Sequence, residues 1–186
     1  MPDLSIIMPS HRNLEQARAA VDSALTYCRA RDAILIVSDN SGDPAKRSHY
    51  AQVSGPLVWI DGGDAPIFAN LVLALDAATT PFVMPMGDDD AIEVVDGEPP
   101  FDLASLASDH AGVFPRSLVF STRRGVMQTK DLAVTAEDAD GRMEQYIAGA
   151  QGNNSFYYSM FRRAFYQPLM QDRKSTRLNS SHITIS

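Results

Sequence analysis

The sequence of 186 residues has little of several features that define whole classes of protein. It contains one cysteine, Cys28, so no disulfide can form within the chain and a reducing compartment is expected. No apolar run reaches the length of a membrane span, and Met1-Pro2-Asp3 lacks the basic start of a secretory signal. We therefore expect a cytoplasmic protein without an integral membrane segment, and peripheral membrane attachment stays open.

Positive charge is also scarce. The chain has 16 Lys and Arg residues against 23 Asp and Glu residues, a formal net charge of −7. Nucleic acid is not an expected partner, because its phosphates are bound by basic surfaces. A hydrophobic content of 45% indicates a folded protein with a core. Such an acidic protein suits an anionic ligand that arrives with a cation.

Glycine-rich phosphate loops are absent too. The sequence has no Walker pattern and no Gly-x-Gly-x-x-Gly, and the loop Asp61-Gly62-Gly63-Asp64 resembles neither. A phosphorylated ligand would have to be held by other means, which directs attention to the acidic residues.

Three consecutive acids, Asp88, Asp89 and Asp90, form the most informative feature. They follow the apolar stretch 82–86 and a single Gly87. The stretch is typical of a short buried strand, and Gly87 gives the backbone freedom where the chain leaves the sheet. Adjacent carboxylates repel one another unless they are solvated or share a hard divalent cation. Ligands bind at the carboxyl ends of strands in open α/β sheets, so the pattern favours a metal site for a phosphorylated ligand.

The first 86 residues alternate between apolar stretches and helical periods. Asn13, with Gln16 three residues later, is a predicted helix N-cap. The predicted order is strand 4–8 ending at Pro9, helix 14–30, strand 33–37, helix 45–52, strand 57–60, helix 65–78 and strand 82–86. Because these strands are apolar throughout, they predict an α/β fold, a mostly parallel sheet with helices on both faces. The loops after the first, second and fourth strands would then share one edge.

The second half of the sequence is less regular. It predicts a helix over 103–110, a hairpin from 118–121 and 126–128, a helix over 143–148, a strand over 156–161 and a helix over 162–170. Arg162 and Arg163 suit either a phosphate or acidic acceptor, or an ordinary helix start.

The three strand-end loops resemble those of family-2 glycosyltransferases with the GT-A fold. In that family the first strand ends in Pro-Thr-Tyr-Asn, the second in Val-Asp-Asp-Gly-Ser and the fourth in Asp-x-Asp-Asp. The matching segments are IMPSHRN at 7–13, VSDNS at 37–41 and GDDD at 87–90. Residues 152–163 resemble the acceptor-side strand and helix of the family. The likeness extends over most of residues 4–170.

The resemblance implies a Rossmann-like GT-A domain that moves a sugar, with inversion, from a nucleotide-diphosphate sugar to an acceptor hydroxyl. A UDP-sugar is the expected donor, a glycan, lipid-linked or small molecule the acceptor, and Mg²⁺ or Mn²⁺ the cofactor. The implied nucleotide-binding residues are Pro9, Ser10, His11, Asp39, Asp88 and Asp89, and the implied metal ligands are Asp88 and Asp90.

The chain also departs from the family pattern. Gly87 stands where many members have the first Asp, Ser38 replaces another common acid, and His11 replaces the common tyrosine. In the family the catalytic base follows the segment that 156–170 resembles, so it is expected beyond the natural part of this chain. Glu137, Asp138 and Glu144 are acids in the right half, with no positional reason to choose among them.

Other interpretations remain open at this point. The acid cluster could be a solvated turn, Asp39 an Asx-turn residue and His11 a residue that lines the sheet end without a ligand. The alternative functions are a sugar-phosphate nucleotidyltransferase, which would need an Arg- or Lys-bearing glycine-rich loop after the first strand, and a non-catalytic nucleotide- or glycan-binding module.

The last fifteen residues, 172–186, look unlike evolved protein. Residues 172–182 are an unbroken translation of a widely used sequencing adapter. We therefore expect residues 1–171 to be a glycosyltransferase domain that is incomplete at its C-terminus, and residues 172–186 to be a non-native, disordered tail. The tail contributes a net charge of +2 to the total of −7, so residues 1–171 alone carry a formal charge of −9.

Overall fold

The protein is described here by a computed structural model. It describes residues 1–94, 97, 99, 101–115, 118–121, 125–128, 133–150 and 155–175. The strands in these ranges are β1 (Leu4–Ser10), β2 (Ile34–Asp39), β3 (Leu57–Asp61), β4 (Phe82–Pro85), β5 (Gly112–Val113), β6 (Leu118–Ser121), β7 (Gly125–Gln128) and β8 (Met160–Arg162). The helices are α1 (Leu14–Arg31), α2 (Pro44–Tyr50), α3 (Ile67–Asp76), α4 (Ala139–Ala150) and α5 (Arg163–Ser175).

The main sheet has the strand order β3-β2-β1-β4-β8-β5. Strands β1 to β4 run parallel, whereas β8 is antiparallel to both of its neighbours. The predicted α/β fold with a mostly parallel, Rossmann-like sheet is confirmed. Its order reverses at β1, because the chain builds β2 and β3 on one side and then β4 on the other. Such a switch point opens a crevice at the carboxyl ends of the strands.

Both faces of the sheet are covered, which explains why its strands are apolar throughout. Ile6 and Leu35 pack on the face that α1 covers, in a cluster with Val21. Ile7 and Ile36, one residue further along, belong to the opposite cluster with α3 and α5. Successive strand residues point to opposite faces, so a strand buried on both must be continuously apolar.

Helix α1 begins as the sequence predicts. Oδ1 of Asn13 accepts a hydrogen bond from the Gln16 amide at 3.0 Å, so one of the unpaired amides of the first turn gains a partner. The helix ends at Arg31, and Asp32 adopts the left-handed conformation with a φ of 47°. Strand β1 is longer than expected, because the chain remains in the sheet through Pro9, which pairs with Ser38.

In the second half of the chain, two of the predicted elements are wrong and the others are confirmed. The helix expected over 103–110 is only a 3-10 turn, Leu103–Ser105. Leu106 leaves the helical conformation with a ψ of 125°, and its carbonyl accepts a hydrogen bond from Arg162. The strand expected over 156–161 is a 3-10 turn, Ser155–Tyr158, followed by β8. The β6-β7 hairpin and helices α4 and α5 are confirmed, and α4 begins earlier than predicted.

Helix α5 continues to Ser175, past the boundary predicted at Gln171. Residues 176–186 lie outside the described residues, so the interpretation of the tail stays a prediction. Within the described ranges, no helix combines the length and apolar character that crossing a bilayer requires.

Candidate functional site

The carboxyl ends of the parallel strands bring the predicted site residues together. Ser10 at the end of β1 is paired in register with Asp39 at the end of β2, and Asp39 with Asp61 at the end of β3. The acid cluster follows β4, on the other side of β1. The first two loops and the acid cluster therefore lie at the switch point of the sheet.

Asp88 faces inward and closes the gap between β4 and β1. Its side chain is buried, with 4% of the residue exposed. Oδ2 accepts hydrogen bonds from the Ser10 hydroxyl at 2.9 Å and from the backbone amides of His11 and Arg12, both at 3.0 Å. Asp88 thus fixes the loop that follows β1.

These hydrogen bonds change the acidity of Asp88. Burial alone would raise the pKa of the carboxyl group, because it disfavours the charged form. The amide of Arg12, the hydroxyl of Ser10 and the amide of His11 act in the opposite direction and together lower the pKa below its ordinary value. Asp88 is therefore held as a carboxylate.

Arg12 neutralises part of the acid cluster. Its Nε lies 3.3 Å from Oδ1 of Asp88, and its Nη2 donates to Oδ2 of Asp89 at 2.6 Å. His11 is largely exposed, with its Nδ1 3.8 Å from Oδ2 of Asp88. An internal guanidinium consequently supplies one of the positive charges that three adjacent acids require.

A fully buried lysine joins the loop after β1 to the end of β2. The side chain of Lys46, on α2, is 0% exposed. Its Nζ donates to Ser10 Oγ at 2.6 Å, to the Arg12 carbonyl at 2.8 Å and to Oδ1 of Asp39 at 2.8 Å. The three donors of the ammonium group all have acceptors, as a buried charge requires.

The backbone of Asp39 is held by a close approach of two loops. The Gly62 amide donates to the Asp39 carbonyl at 2.7 Å. A Cβ on Gly62 would lie 2.3 Å from Oδ1 of Asn70, so only glycine fits. Asn70, on α3, in turn donates to the Ser38 carbonyl at 2.8 Å. The Asp39 Oδ1 atom also accepts from the Ser41 amide at 3.2 Å, so Asp39 forms the Asx turn that was one of its open interpretations.

Asp89 and Asp90 fold back over Gly87. A Cβ at Gly87 would lie 2.5 Å from Oδ2 of Asp90 and 2.9 Å from Oδ1 of Asp89, so glycine allows both carboxylates to approach the same point. Oδ2 of Asp90 accepts a hydrogen bond from the Tyr158 hydroxyl at 2.7 Å. The late segment before β8 is thereby attached to the acid cluster.

The donor set at this point suits a hard cation in part. Two carboxylates are the oxygen ligands that Mg²⁺ and Mn²⁺ prefer, and Mg²⁺ is commonly held by one or two carboxylates plus ligand phosphates and water. Among the described residues there is no group of three or more His, Cys, Asp or Glu side chains that could hold a metal alone. Asp89 and Asp90 would therefore need phosphate oxygens to complete a site, and Asp88 already has internal partners.

The structure separates the predicted residues into two sets. Those brought to one edge are Pro9, Ser10, His11, Asp39, Asp88, Asp89 and Asp90. The candidate bases Glu137, Asp138 and Glu144 are exposed and lie before or on α4, where Asp138 accepts from the Gly141 amide at 2.7 Å. No described hydrogen bond or ion pair joins these three acids to the edge, and the identity of the base stays open.

Sequence reasoning missed Arg12, Lys46, Asn70 and Tyr158 as parts of this edge. One signal was available for Lys46, because it stands four residues before the apolar Tyr50 on a short helix and therefore shares its buried face. Arg162 donates to the Leu106 carbonyl and Arg163 to the Thr80 carbonyl, so both side chains already have protein partners.

Comparisons with known proteins add little to this geometry. No family model and no curated protein matches the chain. Thirty-one chains of solved structures match. One is the crystal structure of S. aureus TarS 1-349, with 18% sequence identity and a TM-score of 0.39, which covers 49% of this chain and 28% of that chain. This chain thus spans less than a third of the TarS chain.

Proposed function

We propose that the chain is the donor-binding part of a glycosyltransferase that uses a nucleotide-diphosphate sugar, with a UDP-sugar as the favoured donor. The observation behind the proposal is the direct bonding of the β1 and β4 loops at the switch point, where Asp88 anchors the His11 loop while Asp89 and Asp90 remain at the crevice. Crevices of this kind bind nucleotides in open α/β sheets.

Different residues of the edge would bind different parts of the nucleotide. Asp39 has one oxygen engaged by Lys46 and Ser41, which leaves Oδ2 to accept an N–H from the base. Exposed His11 offers a ring for the ribose or base, and Asp88 holds its loop in place. Asp89 and Asp90 would hold Mg²⁺ or Mn²⁺ together with the diphosphate.

Leaving-group chemistry explains why acids would face a diphosphate. Negative charge grows on the phosphate oxygens as the sugar departs, and a bound divalent cation neutralises it. The chain's own contribution is to fix the nucleotide and to place the two carboxylates beside the diphosphate. The acceptor hydroxyl must lose a proton to a base, which stays unassigned.

A binding experiment tests the proposal. We expect the full chain to bind UDP more tightly with Mn²⁺ than in EDTA by isothermal titration calorimetry, because two anionic partners need a cation between them. Asp90→Asn should remove most of the metal-dependent gain, and Asp39→Ala should weaken binding even without metal.

Asp3→Asn is the matched control, since Asp3 is exposed and precedes β1 at the opposite edge of the sheet. It should leave both affinities unchanged. Equal UDP affinity with and without Mn²⁺ would refute the metal role. Hydrolysis of a UDP-sugar by the intact gene product would distinguish a glycosyltransferase from a non-catalytic binding module.

A further inference from the structure

Lys46 is the largest fully buried side chain of the described residues, and its placement needs an explanation. A buried ammonium group loses its hydration, and this cost is offset only by close and well-directed acceptors. A leucine at this position could pack against Tyr50 and Trp59 without any such cost. The ammonium group of Lys46 therefore calls for a role other than filling space in the core.

The three acceptors of Lys46 belong to two different strand ends. Ser10 Oγ and the Arg12 carbonyl lie at the end of β1 and in its loop, and Asp39 Oδ1 lies at the end of β2. The Ser10 hydroxyl in turn donates a hydrogen bond to Asp88. A single chain of hydrogen bonds thus connects Asp39 with Asp88 through Lys46.

The charges along this chain balance. Lys46 and Arg12 are positive, and Asp39 and Asp88 are negative, so two cations face two carboxylates at short range. Such a group of paired charges has a defined geometry, because the attraction between each cation and its carboxylate is strongest at short distance in the protein interior. The carboxylate of Asp39 is thus held from one side, through Oδ1, by Lys46 and the Ser41 amide.

Within the described part of the chain, Oδ2 of Asp39 receives no hydrogen bond. We propose that Lys46 is a positioning residue that fixes the Asp39 carboxylate so that Oδ2 accepts an N–H from the base, which makes the site select uracil over cytosine. This inference rests on the proposed function, since it takes a uridine nucleotide as the ligand. Uracil presents an N3–H donor, whereas N3 of cytosine has no hydrogen and would face a carboxylate lone pair.

A purely structural role for Lys46 predicts a different result. Loss of stability would weaken the binding of every nucleotide alike, whereas loss of positioning would reduce the preference between two bases. The ratio of the CDP and UDP dissociation constants separates the two roles. Trp59, the single tryptophan of the sequence, lies with its ring centroid 5.7 Å from Nζ of Lys46, and its fluorescence monitors the folded state of each variant.

The experiment measures UDP and CDP affinities of the full chain by calorimetry, both with Mn²⁺, at a temperature where each variant is folded. Wild type should prefer UDP, and Lys46→Met should reduce that preference about tenfold or more, the loss expected when a charge-assisted hydrogen bond is misdirected. In an Asp39→Ala background the same substitution should change the preference no further, because Lys46 acts through Asp39.

Two further variants keep the test decisive. Lys46→Gln retains a donor and should give an intermediate preference, and it decides the matter if Lys46→Met does not fold. Arg47→Met is the matched control on the same helix, because Arg47 is exposed and pairs only with exposed Asp61 among the described residues. It should keep the wild-type preference.

The possible failures can be told apart. A wild-type preference for UDP that Lys46→Met and Lys46→Gln leave intact overturns the positioning role and spares the proposed function. A wild-type chain that binds neither nucleotide overturns both.

Discussion

At the scale of single residues, the acids of the candidate site have different environments despite their adjacency. Asp88 is buried and accepts three hydrogen bonds, whereas the side chain of Asp89 is 58% exposed and pairs with Arg12. Asp90 accepts from Tyr158. One residue thus supports the loop after β1, and the other two are placed for a ligand.

Asp88→Asn should lower the free energy of unfolding by about 3 kcal/mol, because an amide nitrogen would face donors that need an acceptor. Asp89→Asn, at an exposed neighbouring position, should change it by less than about 0.5 kcal/mol. Urea unfolding in EDTA at pH 7 measures both. Equal effects of the two substitutions would contradict the inward role of Asp88.

The stability that Asp88 contributes should also depend on pH. Since the pKa of its carboxyl is lower in the folded state than in the unfolded state, the contribution is complete above the unfolded pKa of about 4. It is lost as the pH falls through the lower, folded value. The difference between wild type and Asp88→Asn should therefore be constant from pH 6 to 8 and shrink below about pH 4.

At the scale of elements, the starts of α1 and α2 are joined by a shared cap. The first turn of α1 is capped by Asn13, and the Leu14 amide donates to Oδ2 of Asp43 at 2.8 Å. The other Asp43 oxygen caps α2 through the Ala45 amide at 2.9 Å. One carboxylate therefore joins the starts of the two helices that follow β1 and β2.

The buried face of α1 contains Cys28, and this predicts an inert thiol. Burial raises the pKa of the thiol to about 12, and the charge of Arg29 only partly opposes it. Almost no thiolate exists at pH 8, and the thiolate is the reactive form. The native chain should react with a disulfide reagent such as DTNB only as fast as it unfolds, whereas the urea-unfolded chain should react at once. Rapid stoichiometric labelling of the native chain would show that α1 is packed otherwise.

At the scale of the whole molecule, β8 and α5 attach the second half of the chain to the first. Arg162 donates to the carbonyls of His110, Leu106 and Ala107 at 2.9, 2.7 and 3.2 Å, and its guanidinium lies 5.1 Å from the Phe82 ring centroid. Arg163 donates to the Thr80 carbonyl at 2.9 Å. Through Phe82 and Thr80, these two arginines attach β8 and the start of α5 to β4 and the segment before it.

Arg162→Ala should therefore lower the free energy of unfolding by about 2–3 kcal/mol, because three carbonyls lose a charged donor and Phe82 loses a cation–π partner. UDP affinity at a temperature where the variant is folded should not change. Arg18→Ala is the control, since exposed Arg18 pairs only with Asp22 one turn away among the described contacts, and it should cost less than about 0.5 kcal/mol. Comparable losses for the two variants would remove the connecting role of Arg162.

The sequence by itself determined the strands and helices of the first half and the edge at which polar residues gather. Runs such as Leu35–Val37, the cap at Asn13 and the glycine before the acids are local signals, and they do not depend on distant partners. The prediction of a common edge followed from parallel topology, because parallel strands end on the same side.

Only the tertiary structure decided which acid turns inward and where the second half docks. Ser10 and Asp88 are 78 residues apart, and Lys46 is 36 residues from Ser10, so no local pattern reveals their contact. The helix expected over 103–110 ends after a single 3-10 turn, and the Leu106 carbonyl that follows it accepts from Arg162, 56 residues away. Long-range hydrogen bonds outweigh the small local preferences that separate a helix from a turn.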